Sequence, residues 1–112
     1  MAAFNQVVAM REAATRFAAD YDFVLSPTSP LLPYSAEVES PTRDPHKALE
    51  HIAFTVPWNM SEHPAASVNW SSSRDGLPIG VQVIGQRFDD IGVLRLSRAL
   101  EILRPEQRAW PQ

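Results

Sequence analysis

The chain has 112 residues, 45% hydrophobic and 21% charged, ordinary globular values that argue against a disordered tail, a coiled coil or a collagen-like repeat. It contains no cysteine, which excludes disulfides, thiolate zinc sites, iron–sulfur clusters and a cysteine nucleophile. A net charge of -3 gives no general attraction to nucleic acid or anionic lipid, so neither is expected as a partner. The first residues lack a basic start followed by an apolar run, and no window reaches the apolar length that spans a bilayer, so the expected compartment is the cytoplasm.

Phe4, Val7, Val8, Ala14, Phe17 and Tyr21 recur at helical spacing without proline or glycine between them, which predicts a helix over residues 2 to 19. Asp22 to Ser26 is a short apolar run closed by Pro27 and reads as a buried strand. Eight of the ten prolines lie between Pro27 and Pro78. Residues 27 to 45 hold five of them and no period, so a long extended loop is expected there. Such loops in compact domains are usually functional or wrap something larger. A turn or two of helix is expected from Lys47 to Phe54, and one short helical turn between Pro57 and Pro64. Ala65 to Trp70 reads as a strand, Ser71 to Gly76 as a turn, and the alternation of Ile79, Val81 and Val83 with Gly80 and Gln82 as a second strand. Asp89 and Asp90 suit the start of a last helix, near 90 to 104, with Val93, Leu96, Leu100 and Leu103 on one face. The fold class expected is α/β, a partial mixed sheet flanked by helices.

Little in this chain carries chemistry by itself. Ser71, Ser72 and Ser73 fall in the expected hairpin turn, and no Gly-x-Ser-x-Gly elbow occurs, so solvated turn serines are expected there. His46 and His51 are five residues apart, which splays their rings across a helix, and the histidines read as solvated or cap-like with no metal site. Lys47, the sole lysine, follows Pro45 and His46 in a polar loop and should stay charged and exposed, unsuited to act as a neutral base. The glycines form neither a dinucleotide fingerprint nor a phosphate loop, and no cofactor is implied.

The stretch Pro57-Trp58-Asn59-Met60-Ser61-Glu62-His63-Pro64-Ala65-Ala66-Ser67-Val68, followed by Asp75-Gly76-Leu77-Pro78-Ile79-Gly80-Val81-Gln82-Val83-Ile84-Gly85, resembles the C-terminal end of amidase signature enzymes. Phe88, Asp89, Asp90 and the helix through Glu101 keep that family's order, and Tyr21 to Thr28 resembles its helix-strand-Pro-Thr passage. Two positions depart from the pattern: Glu62 stands where glycine is common and Asn69 where proline is common. The resemblance implies that residues 1 to 112 are an incomplete amidase domain, the C-terminal segment of an α/β/α fold. The reaction it implies is hydrolysis of a carboxylic amide to carboxylate plus ammonia or amine. The family's nucleophilic serine, bridging serine on a cis peptide and neutral lysine match nothing here, so no catalytic residue is assigned and the chain alone is expected to be inactive. Trp58, Asn59 and Met60 are the candidate lining of the substrate pocket. The alternative is a noncatalytic binding or complementation subunit that docks on a triad-bearing amidase chain, and self-association is expected of strands left without neighbours.

Overall fold

A computed structural model describes residues 1–107 and 109. A helix, α1 (Ala2–Ala18), leads through Tyr21 into strand β1 (Phe23–Pro27). The proline-rich segment then runs without regular structure to two 3-10 turns, Pro45–Lys47 and Glu50–Ile52. The short helix α2 (Val56–Ser61) carries Pro57 in its first turn, where a missing N–H costs nothing. A hairpin of β2 (Ala65–Ser72) and β3 (Pro78–Gly85) follows, and then α3 (Asp90–Leu103). The last helix starts where the two aspartates suggest. Asp89 accepts from the Gly92 N–H at 3.0 Å, and a Cβ on Gly92 would lie 2.0 Å from the Asp89 carboxylate.

The strands form one antiparallel sheet in the order β1-β3-β2. All three described strands are antiparallel to their neighbours. β3 is central, and Val83 and Ile84 are its buried pivots at 0% and 1% exposure. Because side chains alternate across a strand, these two neighbours serve opposite layers. Ile84 packs with Ala14, Ala18, Trp58 and Val24 under α1 and α2, while Val83 packs with Val68, Val93, Phe23, Ala66, Leu96 and Leu100 under α3. Burying each contributes roughly 1.5–3 kcal/mol. Helices on both faces make this an α/β/α layer.

Three expectations change. In α1 the small residues Ala14 and Ala18 face the sheet, whereas Phe4, Phe17 and Tyr21 are 69%, 53% and 53% exposed. The apolar period is genuine, but most of its large side chains point away from this sheet. Ser71 and Ser72 belong to β2, pairing with Ile79 and Pro78. The turn is tighter and begins at Ser73, whose carbonyl accepts from Gly76 N–H at 2.9 Å, with Gly76 at φ 85°. Trp70 is the extra residue of a β-bulge between Asn69 and Ser71, which a strict alternation rule does not foresee. His63 is buried at 7% exposure, not solvated. Its ring packs edge-on against Trp58 at 5.7 Å, and its Nδ1 lies 2.7 Å from Ser61 Oγ.

Glu62 explains why its position favours glycine. It closes α2 in the left-handed region, at φ 60°, where a side chain costs about 1–2 kcal/mol. Its carboxylate partly offsets that cost by pairing with Arg11 of α1 at 2.8 Å and with Arg87 beyond β3.

Candidate functional site

The second half of β3 is covered by α1 and α2, but its first half is not. There the side chains on the α1/α2 side of the sheet are polar or absent: Ser26 and Thr28 from the β1 side, Gln82 and Gly80 from β3, Ser67 and Asn69 from β2. Gln82 Nε2 donates to Ser26 Oγ at 3.1 Å and to the Phe54 carbonyl at 2.9 Å, which ties the sheet to the segment before α2. Thr28 Oγ1 and Ser67 Oγ meet at 2.8 Å directly over Gly80. A Cβ on Gly80 would sit 2.8 Å from both oxygens, so this cross-sheet hydrogen bond exists because the central strand has no side chain there.

Above this polar floor the proline-rich segment folds back. Ser29 Oγ donates to the His51 carbonyl at 3.2 Å, and the Tyr34 ring stands edge-on to His51 at 5.8 Å. Between loop and floor lies a cleft of about 690 Å3. Its walls are prolines, Leu31, Leu32, Tyr34, Ile52 and Ile79; its polar groups are Thr28, Ser29, His51, Thr55, Ser67 and Asn69. Among the described residues no Asp, Glu, Lys or Arg lines it. The buried Nδ1 of His51 has no hydrogen-bond partner among the described residues.

An apolar wall with a few convergent hydrogen-bonding groups is the general form of a small-molecule pocket. None of the described residues that line it forms an activated nucleophile. The nearest thing to a nucleophile–base pair among the described residues is Ser61 with His63, but Ser61 is 0% exposed and neither residue lines the cleft. Burial, and secondly the Arg87 guanidinium, hold the His63 imidazole below its ordinary range, so it stays neutral and locks the end of α2 onto the start of β2. Lys47 is exposed in the first 3-10 turn. Among the described residues no group of His, Asp or Glu is placed to hold a metal ion, and no helix is long and apolar enough to cross a membrane.

Of the three residues singled out for a pocket, Trp58 is buried in the core cluster beneath α1, and Asn59 and Met60 are exposed at the end of α2. None of them lines this cleft. Of the residues that do line it, Pro27 to Tyr34 were legible in the sequence as part of a long loop, and Ser67, Asn69, Ile79 and Gly80 as parts of strands. The register that brings Thr28, Ser67 and Asn69 around Gly80 is a property of pairings between distant strands.

The family model described as Amidase matches residues 2–94. The chain belongs to the amidase family. It is 42% identical over 83 residues to a glutamyl-tRNA(Gln) amidotransferase subunit of Brevibacillus brevis, covering 74% of this chain and 16% of that one. On the crystal structure of the corresponding glutamyl-tRNA(Gln) amidotransferase subunit from Thermotoga maritima it superposes with a TM-score of 0.79 at 34% identity, over 98% of this chain and 25% of that chain. A bacterial aryl acylamidase of the amidase signature family gives a TM-score of 0.74 at 28% identity, over 89% and 22% of the two chains. The chain thus spans about a sixth of the length of the Brevibacillus relative, and amidase-family membership and the α/β/α layering both follow from these matches. The family match covers the stretches Tyr21 to Thr28, Pro57 to Val68 and Asp75 to Gly85 that carry the resemblance in the sequence.

Proposed function

We propose that this chain is the C-terminal part of an amide hydrolase, an incomplete domain over residues 1 to 112 whose cleft forms one wall of the acyl pocket. The observation that carries this reading is the cleft itself, built between the proline-rich loop and the polar floor around Gly80. The reaction is attack of a serine, supplied outside this segment, on a carboxamide carbon. Ammonia or amine leaves, and water then releases the carboxylate. In that scheme the 112 residues bind and orient, and by themselves they do not turn over amides. Absence of charge from the described lining favours a neutral acyl group, aliphatic or aromatic, over one bearing a carboxylate or ammonium, which would be desolvated without a partner. Likeness to an aryl acylamidase is in keeping with that preference. Trp58 acts from the core by holding α2 against the sheet, while Asn59 and Met60, exposed at the tip of α2, contact the rest of the pocket.

The test is ammonia release from hexanamide, benzamide and glutamine, by the chain alone and by the chain joined to a triad-bearing amidase segment. Turnover of the two neutral amides by the joined form only, lost with Ser67→Leu in the floor, is the expected result. Turnover by the isolated chain, or a preference for glutamine, refutes the reading.

A further inference from the structure

The polar side chains at the floor of the cleft are not equivalent. Thr28 and Ser67 bond to one another at 2.8 Å, and beside them Ser29 Oγ donates to the His51 carbonyl at 3.2 Å and Thr55 Oγ1 to the Ile52 carbonyl at 3.1 Å. The Nδ1 of His51 is buried and out of a guest's reach. Asn69 differs from all of these. It lines the cleft and is exposed, and its carboxamide, with two donors and an acceptor, has no hydrogen-bond partner among the described residues.

The backbone explains why this amide is both anchored and unpartnered. The Thr28 N–H donates to the Gly80 carbonyl at 3.2 Å, so Gly80 turns its backbone groups towards β1, and Asn69, opposite it in β2, stands in a non-hydrogen-bonded pair. Side chains approach each other most closely across such pairs, but here the facing residue is a glycine and has none to offer. The outward Asn69 carbonyl accepts from Arg104 Nη1 at 3.0 Å, and the bulge at Trp70 follows directly. Bulges of this kind re-aim side chains beside binding sites. An outward N–H also explains why proline is common at this position in the family, since a proline there breaks no ladder bond. Proline carries no hydrogen-bonding side chain, so Asn69 gives this floor a group that the usual residue lacks.

We infer that Asn69 is a specificity-determining residue of the cleft, whose amide hydrogen-bonds a neutral polar substituent, a hydroxyl or a carbonyl, on the acyl group of the substrate. This rests on the reading of the cleft as one wall of an acyl pocket, and it narrows the neutral acyl groups proposed there. A purely apolar acyl group displaces water from the Asn69 amide and returns nothing, whereas a hydroxyl reproduces the bond that the water made. A carboxylate would satisfy the donors, but no cation in the described lining offsets its desolvation.

The experiment is a nuclear magnetic resonance titration of the 112-residue chain, and of the chain joined to a triad-bearing amidase segment, with two matched pairs of amides. The pairs are hexanamide with 6-hydroxyhexanamide, and benzamide with 4-hydroxybenzamide. The hydroxylated member of at least one pair should bind roughly threefold or more tighter, as a single neutral hydrogen bond provides, and should shift the Asn69 side-chain NH2 signals. Asn69→Leu, close in volume, and Asn69→Pro should abolish that preference while binding of the unsubstituted amides stays within about twofold. The NH2 signals report the contact in the unmutated chain, so a variant that misfolds does not hide the answer. Any of four results would overturn the inference: no preference in either pair, no saturable binding by either form, NH2 signals unmoved by the hydroxylated amides, or a preference that survives both substitutions. Binding is read without turnover. A joined form that binds with this preference but releases no ammonia counts against the amide-hydrolase reading alone, and one that turns over both members of each pair equally counts against Asn69 alone.

Discussion

Gly80→Ala is a small change whose sign tests the floor of the cleft. In a strand with room to spare, alanine in place of glycine stabilises by about 0.5–1 kcal/mol, because the unfolded chain loses less entropy. At Gly80 the new Cβ lies 2.8 Å from both Ser67 Oγ and Thr28 Oγ1, and 3.3 Å from Thr28 Cβ. The serine oxygen can rotate away, but the two oxygens then no longer meet at 2.8 Å. Losing that hydrogen bond costs about 1 kcal/mol, and forcing the β-branched Thr28 off its rotamer about another 0.5–1.5 kcal/mol. Set against the backbone gain, the net is a destabilisation of about 0.5–2 kcal/mol. At roughly 2.1 cal/mol/K of unfolding entropy per residue, a 112-residue chain loses about 4 °C of Tm per kcal/mol, so Tm falls by about 2–8 °C. Calorimetry on Gly80→Ala, Ser67→Ala and the double variant completes the cycle. Removing Ser67 Oγ first removes half of the clash and the whole hydrogen bond, so the double variant should be about 1 kcal/mol less destabilised than the sum of the singles. Additive effects, or a stabilised Gly80→Ala, would show that the two hydroxyls do not meet over Gly80.

Glu62→Ala should cost about 1 kcal/mol more than Glu62→Gly in urea titration, since both lose the pairs with Arg11 and Arg87 but only alanine keeps the left-handed strain. His63 is held below its ordinary range in the folded chain, so its contribution is fully present above the unfolded value near 6.5 and is lost as pH falls through that value towards the folded one. Urea midpoints from pH 8 to 5 should therefore fall, with a shallower fall in His63→Gln; equal slopes would remove His63 from the account. Asp89→Ala should cost about 1 kcal/mol through loss of the cap on α3, read as a lower Tm, with Gly92→Ala showing a loss of similar origin because its Cβ displaces the same carboxylate.

The sequence periods located α1, β1, the hairpin and α3 to within a few residues, because local spacing and turn chemistry decide where such elements begin and end. What escaped were properties set by neighbours. The stripe of α1 marked a helix, yet its large residues face away from this sheet, since periodicity gives a face but not the body that it meets. Ser71 and Ser72 have turn-like composition and still pair with β3, where the hairpin register overrides their preference. His63 was read with the other histidines as solvated or cap-like, whereas its partners are Trp58 and Ser61 within the α2 corner, contacts that the spacing of the histidines does not reveal. The cleft was the least legible feature, as its floor needs three strands in register and its roof is a segment without any period.

The strand order β1-β3-β2 also governs when the chain can fold as it is made. Among the described residues β1 pairs with β3 alone, so within this segment residues 23–27 gain their sheet neighbour when residues 81–85 exist. The end of α1 gains a further tie equally late: its Ala18 carbonyl, which already accepts from the Tyr21 N–H at 3.1 Å, and the Tyr21 carbonyl both accept from the Gln86 side-chain amide, 65 or more positions later. Within this segment the last turn of the helix, the strand and the proline-rich tether are therefore all settled together by the arrival of β3. Long-range pairing of this kind is slow and leaves apolar surface exposed meanwhile. The nascent chain, more than the finished one, is the form that calls for a chaperone's protection.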